Sequence, residues 1–325
     1  MEEVVPVARL GRLGDLLGAG GQGRVFDAPD LRLPDAPGSL VYKEYKAVQQ
    51  SAYGLRRLVT IRNGLDPDAR RKLDERAAWP LRVVDEADRV RGVVMPRIPD
   101  SYFQERTLPG TGRVENGIRE VQNLLIPPAR AHRVGMPVPT FSERLMICRD
   151  FAAVLHFVHK NGLVVGDLSA RNGLYRLDER PSVMLVDCDA IRVRGTMAAM
   201  AQLNSPDWDP PEKMLTQSSD RYKFGLFVLR CLSSGEQIST TRDPSRADAA
   251  LDDEGRRMLR AALSDQRGNR TTAQAWGKYF DSLLTGRSVA AAVTHSPTPA
   301  RQPQPEPESP SGWIRDPVSG RWRAL

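Results

Sequence analysis

The sequence predicts an α+β protein of two lobes, a small β-rich one followed by a larger helical one, with a disordered proline-rich tail behind them. Three observations predict this. Residues 11–98 read mostly as short runs with recurring β-branched residues between Gly, Pro and Asp punctuation. From about residue 115 the apolar period becomes helical. Near Arg287 the periodicity stops, and six prolines follow between Pro297 and Pro310, a composition that favours extended, solvated backbone and cannot bury enough apolar surface to order itself. The ranges that follow are an N-terminal extension (1–11), a small lobe (12–98), a large lobe (99–286), a proline-rich linker (287–312) and a C-terminal element (313–325).

Length and composition agree with that division. The chain has 325 residues, more than one ordinary domain. With 40% hydrophobic and 27% charged residues it is neither wholly disordered nor a coiled-coil or collagen-like rod. Lys and Arg exceed Asp and Glu by seven, but the surplus is arginine interleaved with acids, so the charge permits nucleic-acid binding without indicating it. Three distant cysteines, Cys148, Cys188 and Cys231, build neither a disulfide framework nor a CxxC zinc site, which points to a reducing cytosol. The acidic start MEEVVPVARL has no apolar signal core, and no run approaches the roughly 20 apolar residues of a membrane span. The expected location is cytoplasmic, with neither membrane nor nucleic acid as partner.

Taken in order, LGDLLGAG, GRVFDAP, SLVYKEYK, LRVVDE and RGVVMPRI read as strands, and residues 50–79 as helical. Together they make a mostly antiparallel sheet with helix beside it. In TFSERLMICRDFAAVLHFVHKNG, Thr140 and Glu143 form a capping box, Leu145, Cys148, Ala152, Leu155 and Val158 share a face, and Gly162 stops the helix. Two short strands, GLYRL and SVMLVD, come next. SDRYKFGLFVLRCLSS is apolar enough to be a core helix. Residues 100–138, with Pro127-Pro128 and basic residues around Arg130–Arg133, either cap a cleft or decorate the large lobe, and decoration is favoured. Trp313 and Trp322 flank a turn-like Asp316-Pro317 and Ser319-Gly320, which reads equally as a small docking element or as a frayed end.

Several strings carry chemistry. Gly18-Ala-Gly20-Gly-Gln-Gly23-Arg-Val25 places three glycines between two strands, where backbone N–H groups can close on phosphate oxygens without Cβ interference. A plain glycine-rich turn gives the same string. A dinucleotide fold is disfavoured, because strand rather than helix follows the third glycine. Lys43 ends Leu40-Val41-Tyr42-Lys43 on the next strand, within reach of nucleotide phosphates, with Lys46 as the competing lysine. Val165-Gly166-Asp167-Leu-Ser-Ala-Arg171-Asn172 sets a carboxylate and an amide five residues apart: one to accept a hydroxyl proton, the other to hold a hard cation. Asp187 leaves the apolar strand Val183–Val186 where a metal–phosphate complex could sit. Glu212 and Arg270 are the residues expected to form a buried ion pair.

In this order the strings resemble the eukaryotic-type (Hanks-like) protein kinase fold over roughly residues 12–285. The resemblance implies that Gly18, Gly20, Gly23 and Val25 cover ATP, that Lys43 grips its phosphates, that Asp167 is the catalytic base, and that Asn172 and Asp187 bind Mg²⁺. It further implies that Met95 and Ile98 flank the adenine, with Pro96 offering a carbonyl and Ile98 an N–H. Pro210-Pro211-Glu212 stands for A-P-E, and Asp220 for the aspartate that anchors the catalytic loop. Glu75, with Asp74 competing, is the carboxylate expected to pair with Lys43. Three positions depart from the pattern: H-R-D is Val165-Gly166-Asp167, D-F-G is Asp187-Cys188-Asp189, and the lysine after the catalytic aspartate is Ser169. Arg171 is expected to replace that lysine's charge near the γ-phosphate.

Without the arginine at Gly166, activity is expected not to depend on activation-loop phosphorylation. Only Thr196 and Ser205 offer hydroxyls between Asp187 and Glu212. The loop, D-C-D, Ala78-Trp79-Pro80 and Gly92-Val-Val-Met95-Pro96 look like a divergent bacterial branch associated with PP2C-type phosphatases and von Willebrand A-type proteins. The resemblance thus implies an ATP- and Mg²⁺-dependent serine/threonine kinase acting on a protein substrate. The altered motifs keep open a pseudokinase, a nucleotide-binding regulatory module, and a small-molecule kinase of the same fold.

Overall fold

The computed structural model describes residues 2–49, 53–108, 110–195, 207–233 and 237–286, and two short strands, Trp313–Arg315 and Trp322–Ala324. The chain divides into Met1–Gly286 and Arg287–Leu325. In the second unit the two strands pair antiparallel, Ile314 opposite Arg323. Thr196 and Ser205 lie outside the described residues, as does the proline-rich linker.

The first lobe is one six-stranded sheet. Its strands are β1 (Val4–Pro6), β2 (Leu16–Ala19), β3 (Gly23–Asp27), β4 (Leu40–Gln49), β5 (Arg82–Glu86) and β6 (Arg89–Pro96), in spatial order β1-β5-β6-β4-β3-β2. All neighbours are antiparallel except β1, which adds parallel to β5. The sheet therefore starts within the expected N-terminal extension: Val5 is buried on this edge, a placement that three residues are too short to advertise in sequence. Side chains on a strand alternate between faces. Leu40 and Tyr42 enter a core with Val5, Leu33, Val84 and Val94, whereas Val41 and Tyr45 pack with Val83, Val93 and Met95 on the other face. That second face is covered by α1 (Tyr53–Asn63) through Leu55 and Val59.

A second helix, α2 (Pro67–Asp74), begins at Asp66, whose carboxylate accepts from Ala69 N at 2.9 Å ahead of a proline suited to the first helical turn. Below it a buried charge cluster ties helices to sheet. The Arg62 guanidinium donates to Asp74 (2.7 and 2.6 Å) and to Asp35 Oδ2 (2.5 Å), and Arg82 also donates to Asp35.

The second lobe is built on α4 (Phe141–Lys160). The capping box forms as expected, with Glu143 N donating to Thr140 Oγ1 (3.3 Å) and Thr140 N to Glu143 Oε2 (2.6 Å). Leu145, Cys148, Ala152, Leu155 and Val158 are all buried, and Gly162 follows with φ 71°. Beside it lie α5 (Gln217–Leu232), α6 (Asp253–Ala262) and α7 (Ala273–Gly286). The core helix α5 buries 13 of its 16 residues. Phe151 meets Phe227 at 5.0 Å, and Trp276 stacks on Phe280 at 5.3 Å, centroid to centroid. Arg270 grips Glu212 with two hydrogen bonds, 2.7 and 2.9 Å, in a setting with almost no solvent contact.

Between the lobes, β7 (Phe103–Thr107) and β8 (Val114–Ile118) form a hairpin, followed by α3 (Pro128–Arg133). Arg119 N bonds to Tyr102 O, Tyr175 N to Arg119 O, and Thr107 N to Val134 O. The first and last of these lie within the segment, and the Tyr175 bond joins it to the strand Gly173–Arg176 of the large lobe. The short strands β9 (Leu163–Val164), β10 (Gly173–Arg176), β11 (Ser182–Leu185) and β12 (Arg192–Val193) pair as β9 with β12 and β10 with β11.

The Asp35 cluster gives the fold an acid-sensitive point. Burial pushes its carboxyl up, but hydrogen bonds from Arg82 and Arg62 outweigh that and hold it at about 2, against an ordinary 3.8. A depressed carboxylate stabilises the fold above its unfolded value, and that contribution drains away as pH falls through the folded value. Between pH 4 and 2, melting temperatures should therefore fall more steeply for the wild type than for Asp35→Asn. Equal slopes would show that the cluster contributes nothing.

Candidate active site

Lys43 sits mid-strand on β4, on the face shared with Val41 and Tyr45, and is 5% exposed. Its Nζ lies 2.8 Å from Asp189 Oδ1 and 3.1 Å from Asp187 Oδ1. Burial alone would lower the lysine pKa, but the two carboxylates more than offset this and raise it. The separation of 144 residues between Lys43 and Asp187 thus closes into one ion-paired group across the two lobes.

Asp187 adopts φ 54° and ψ 34°, a left-handed conformation that Asp tolerates better than most residues, and a short 3-10 turn, Cys188–Ala190, follows. The turn sorts three side chains. Asp187 is half exposed, Cys188 is fully buried in the large-lobe core with its Sγ donating to Leu185 O at 3.4 Å, and Asp189 is fully buried against Lys43. Asp189 Oδ2 also accepts from Tyr45 Oη at 2.9 Å.

The loop 165–172 lies next to this turn, since Val186 N donates to Asn172 O at 2.9 Å. Asn172 Nδ2 donates to Asp167 O (2.7 Å) and Asp167 Oδ2 (3.0 Å), leaving the amide oxygen as the atom suited to a cation. Asp167 Oδ1 is buried with no hydrogen-bond partner. Such an atom costs free energy unless another donor reaches it. Burial raises the Asp167 pKa, Asp187 adds to the rise, and Lys223 and Asn172 work against it.

Support for the loop comes from α5. Asp220 Oδ2 and Oδ1 accept from the backbone N–H groups of Val165 and Gly166, each at 2.8 Å, and His159 Nε2 lies 3.0 Å from Oδ2. Gly166 has φ 74°, where a side chain would be strained. Lys223, one turn beyond Asp220, donates to Gly166 O at 2.7 Å and is fully buried. Its own pKa is lowered by burial.

In the glycine turn, Gly20 N donates to Gly23 O at 2.9 Å. A Cβ on Gly18 or Gly20 would meet open space, whereas one on Gly23 would lie 2.3 Å from Glu44 O. Gly23 is thus required by strand packing, and the other two leave room above the sheet. Val25 and Met95 lie on the same face of the sheet as Lys43. Ile98 instead packs with Tyr102, Leu174 and Met184, and lines a cavity of about 1020 Å³ with residues 33–40. Neither Lys43 nor Asp167, Asn172 or Asp187 lines that cavity.

Two expected neighbours are elsewhere. Glu75 caps the end of α2, half exposed, with Arg71 as its partner at 3.0 Å, so it does not pair with Lys43. Its competitor Asp74 is spent on Arg62. The physical reason is that α2 turns Asp74 towards the Arg62 cluster and leaves Glu75 beside Arg71 on its exposed side, while α1, which does cover Lys43's face, has no acid in YGLRRLVTIRN. Arg171 lies beside Glu120, whose carboxyl is raised by burial and lowered by that guanidinium.

Asp189, Tyr45, His159 and Lys223 were not legible as site residues. The available signals were the second acid of D-C-D, the i+2 spacing of Tyr45 from Lys43, and the i+3 spacing of Lys223 from Asp220.

No family model matches the chain. Among curated proteins it is similar to a serine/threonine-protein kinase-like protein of Arabidopsis thaliana, 26% identical over 116 residues, or 34% of this chain and 33% of that protein. The match spans about a third of the relative's length. A β-rich N-terminal sheet, a helical C-terminal part and this similarity agree. The fold is kinase-like. Among the described residues, no helix is long and apolar enough to cross a membrane.

Because Asp220 is completely buried and holds two backbone donors, Asp220→Asn should cost about 3 kcal/mol or more of unfolding free energy, measured by urea titration. A loss under about 0.5 kcal/mol would remove it as the support of the loop.

Proposed function

We propose that this chain is an ATP- and Mg²⁺-dependent protein kinase that transfers the γ-phosphoryl group to a serine or threonine hydroxyl. The observation that carries the reading is the meeting of Lys43, Asp187, Asn172 and Asp167 from separate segments of both lobes in one hydrogen-bonded neighbourhood. The similarity to a kinase-like protein supports it.

The donor set fits the metal: Asp187 carboxylate and Asn172 amide oxygen are hard oxygen ligands, and Mg²⁺ usually takes one or two such groups with water and substrate phosphate. When bound, the ion would neutralise charge on the phosphates during transfer. Lys43 offers a fixed cation to the same phosphates. Gly18 and Gly20 leave the space in which backbone N–H groups can approach them. Asp167, with one oxygen held by Asn172 and the other unpartnered, is poised to accept the substrate hydroxyl proton.

Gly166 leaves no side chain there to receive an activation-loop phosphate. Its N–H and C=O are instead bonded to Asp220 and Lys223, so the loop is held from beneath, and activity independent of such phosphorylation follows. In this reading the substrate is a protein, and a PP2C-type phosphatase and a von Willebrand A-type protein are its proposed partners.

Radiolabelled phosphate transfer to itself or to a protein panel, with Mg²⁺ and ATP, tests the reading. Asp167→Ala and Asp187→Ala should each lower the rate by about 10²–10⁴-fold. Nucleotide binding without any transfer would turn the chain into a nucleotide-binding regulatory module, and transfer unaffected by either substitution would overturn the assigned roles.

Lys223 supplies a second test. Its charge lowers the Asp167 pKa, so Lys223→Met should raise it and move the acid limb of the pH–rate profile to higher pH. An unmoved limb in folded protein would remove Asp167 as the titrating base.

A further inference from the structure

Lys43 needs a permanent counter-charge, and the helix that covers it supplies none. The residues of α1 that bury are Leu55, Leu58, Val59, Ile61 and Arg62. Glu75 and Asp74 face other arginines. Among the described residues two carboxylates remain, and they differ in kind. Asp187 touches Nζ at 3.1 Å with a side chain 55% exposed, so its carboxylate is open to a competing cation. Asp189 touches Nζ at 2.8 Å with a side chain 0% exposed, and both oxygens are engaged, one by Lys43 and one by the Tyr45 hydroxyl. Tyr45 lies two residues from Lys43 on the same face of β4, so strand and hydroxyl together fix the carboxylate. On the other side, Cys188 is locked into the large-lobe core, and Ala190 N and Ile191 N bond back to Asp187 O and Cys188 O.

On these grounds we propose that Asp189 is the positioning residue for Lys43, doing from inside the D-C-D turn what a helix carboxylate would otherwise do, with Tyr45 holding it in place. This rests on the kinase reading. It divides labour within three residues: Asp187 is released to the cation when nucleotide binds, and Asp189 keeps Lys43 aimed at the phosphates. The aim of Lys43 then depends on the turn that carries Asp187, and displacement of α1 does not break it.

The test uses the full chain as wild type, Lys43→Met, Asp189→Asn, the double variant and Tyr45→Phe. It measures Mg²⁺-dependent binding of a fluorescent ATP analogue, kcat and KM for phosphate transfer, and melting temperature. Asp189→Asn should reduce kcat/KM, or analogue affinity where no transfer occurs, on the order of 10²-fold. Lys43→Met should do the same, and the double variant should be no worse than either alone. Tyr45→Phe, the milder change should Asp189→Asn fail to fold, should lose about two- to tenfold. A purely structural pair would lower the melting temperature of Asp189→Asn, regain it in the double variant, and leave binding and kcat per folded molecule unchanged; that result overturns the proposal. So does a Lys43→Met loss that neither Asp189→Asn nor Tyr45→Phe shares. Folded wild type that binds no nucleotide defeats the kinase reading itself, a failure visible before any variant is compared, and the positioning role falls with it.

Discussion

A lysine in the middle of a β-strand, almost shut off from water, keeps its charge only if carboxylates meet it there. At Lys43 this requirement links distant parts of the sequence, because among the described residues the acids that reach it come from positions 187 and 189 in the other lobe. Desolvation of the ammonium is severe, yet its pKa ends above the ordinary value, which means the pair is favourable enough to overcome the burial. A charge pair of this sort stabilises little against an apolar replacement, but removing one partner strands the other. Its effect is therefore to make the strand and the turn interdependent.

The loop 165–172 shows the same logic one layer down. The loop has lost two cationic side chains relative to the pattern it resembles, with Gly166 and Ser169 in their places. The lobe restores one cation from α5 rather than from the loop: Lys223 reaches the Gly166 carbonyl while its charge acts on Asp167. Asp220, three residues earlier on the same helix, takes the two N–H groups preceding Asp167. Acceptor and donor one turn apart on a helix thus brace from beneath a loop that Asn172 also ties across to Asp167. Ser169 is buried with an unpartnered hydroxyl, and it joins the loop through its carbonyl, which accepts from Asn172 N at 3.2 Å.

Most of the architecture was legible because it rests on local rules. The capping box at Thr140, the apolar face of α4, the core helix α5 and the strand alternation around Lys43 each follow from spacing alone. The Glu212 and Arg270 pairing was also anticipated. The failures share a cause. Glu75 is the helix carboxylate the sequence offers, with Asp74 competing, but which face of a helix meets a sheet depends on packing that sequence spacing does not specify. Arg62, buried inside α1, drew Asp74 and Asp35 towards itself. β1 was missed because three residues with one buried side chain carry too little pattern, and its pairing with β5 is contributed by a strand more than 70 residues away.

The position of Asp187 is itself set from behind. β11 leads directly into Val186 and Asp187, and its last residue is fastened to the small lobe by two backbone bonds, Ala78 N to Leu185 O and Leu185 N to Arg76 O, each 2.8 Å. Asp150 on α4 reinforces the same place, accepting from Arg76 Nε at 2.7 Å and from Val183 N at 2.9 Å. The segment preceding β5 is thus stitched to the strand that leads into the two carboxylates, two residues upstream of Asp187. Lys43 then meets those carboxylates from the sheet. The turn is thus held at its root by backbone pairing and at its tip by a buried ion pair. A cation entering at Asp187 would have to compete with Lys43 for one exposed carboxylate, while Asp189 stays where it is.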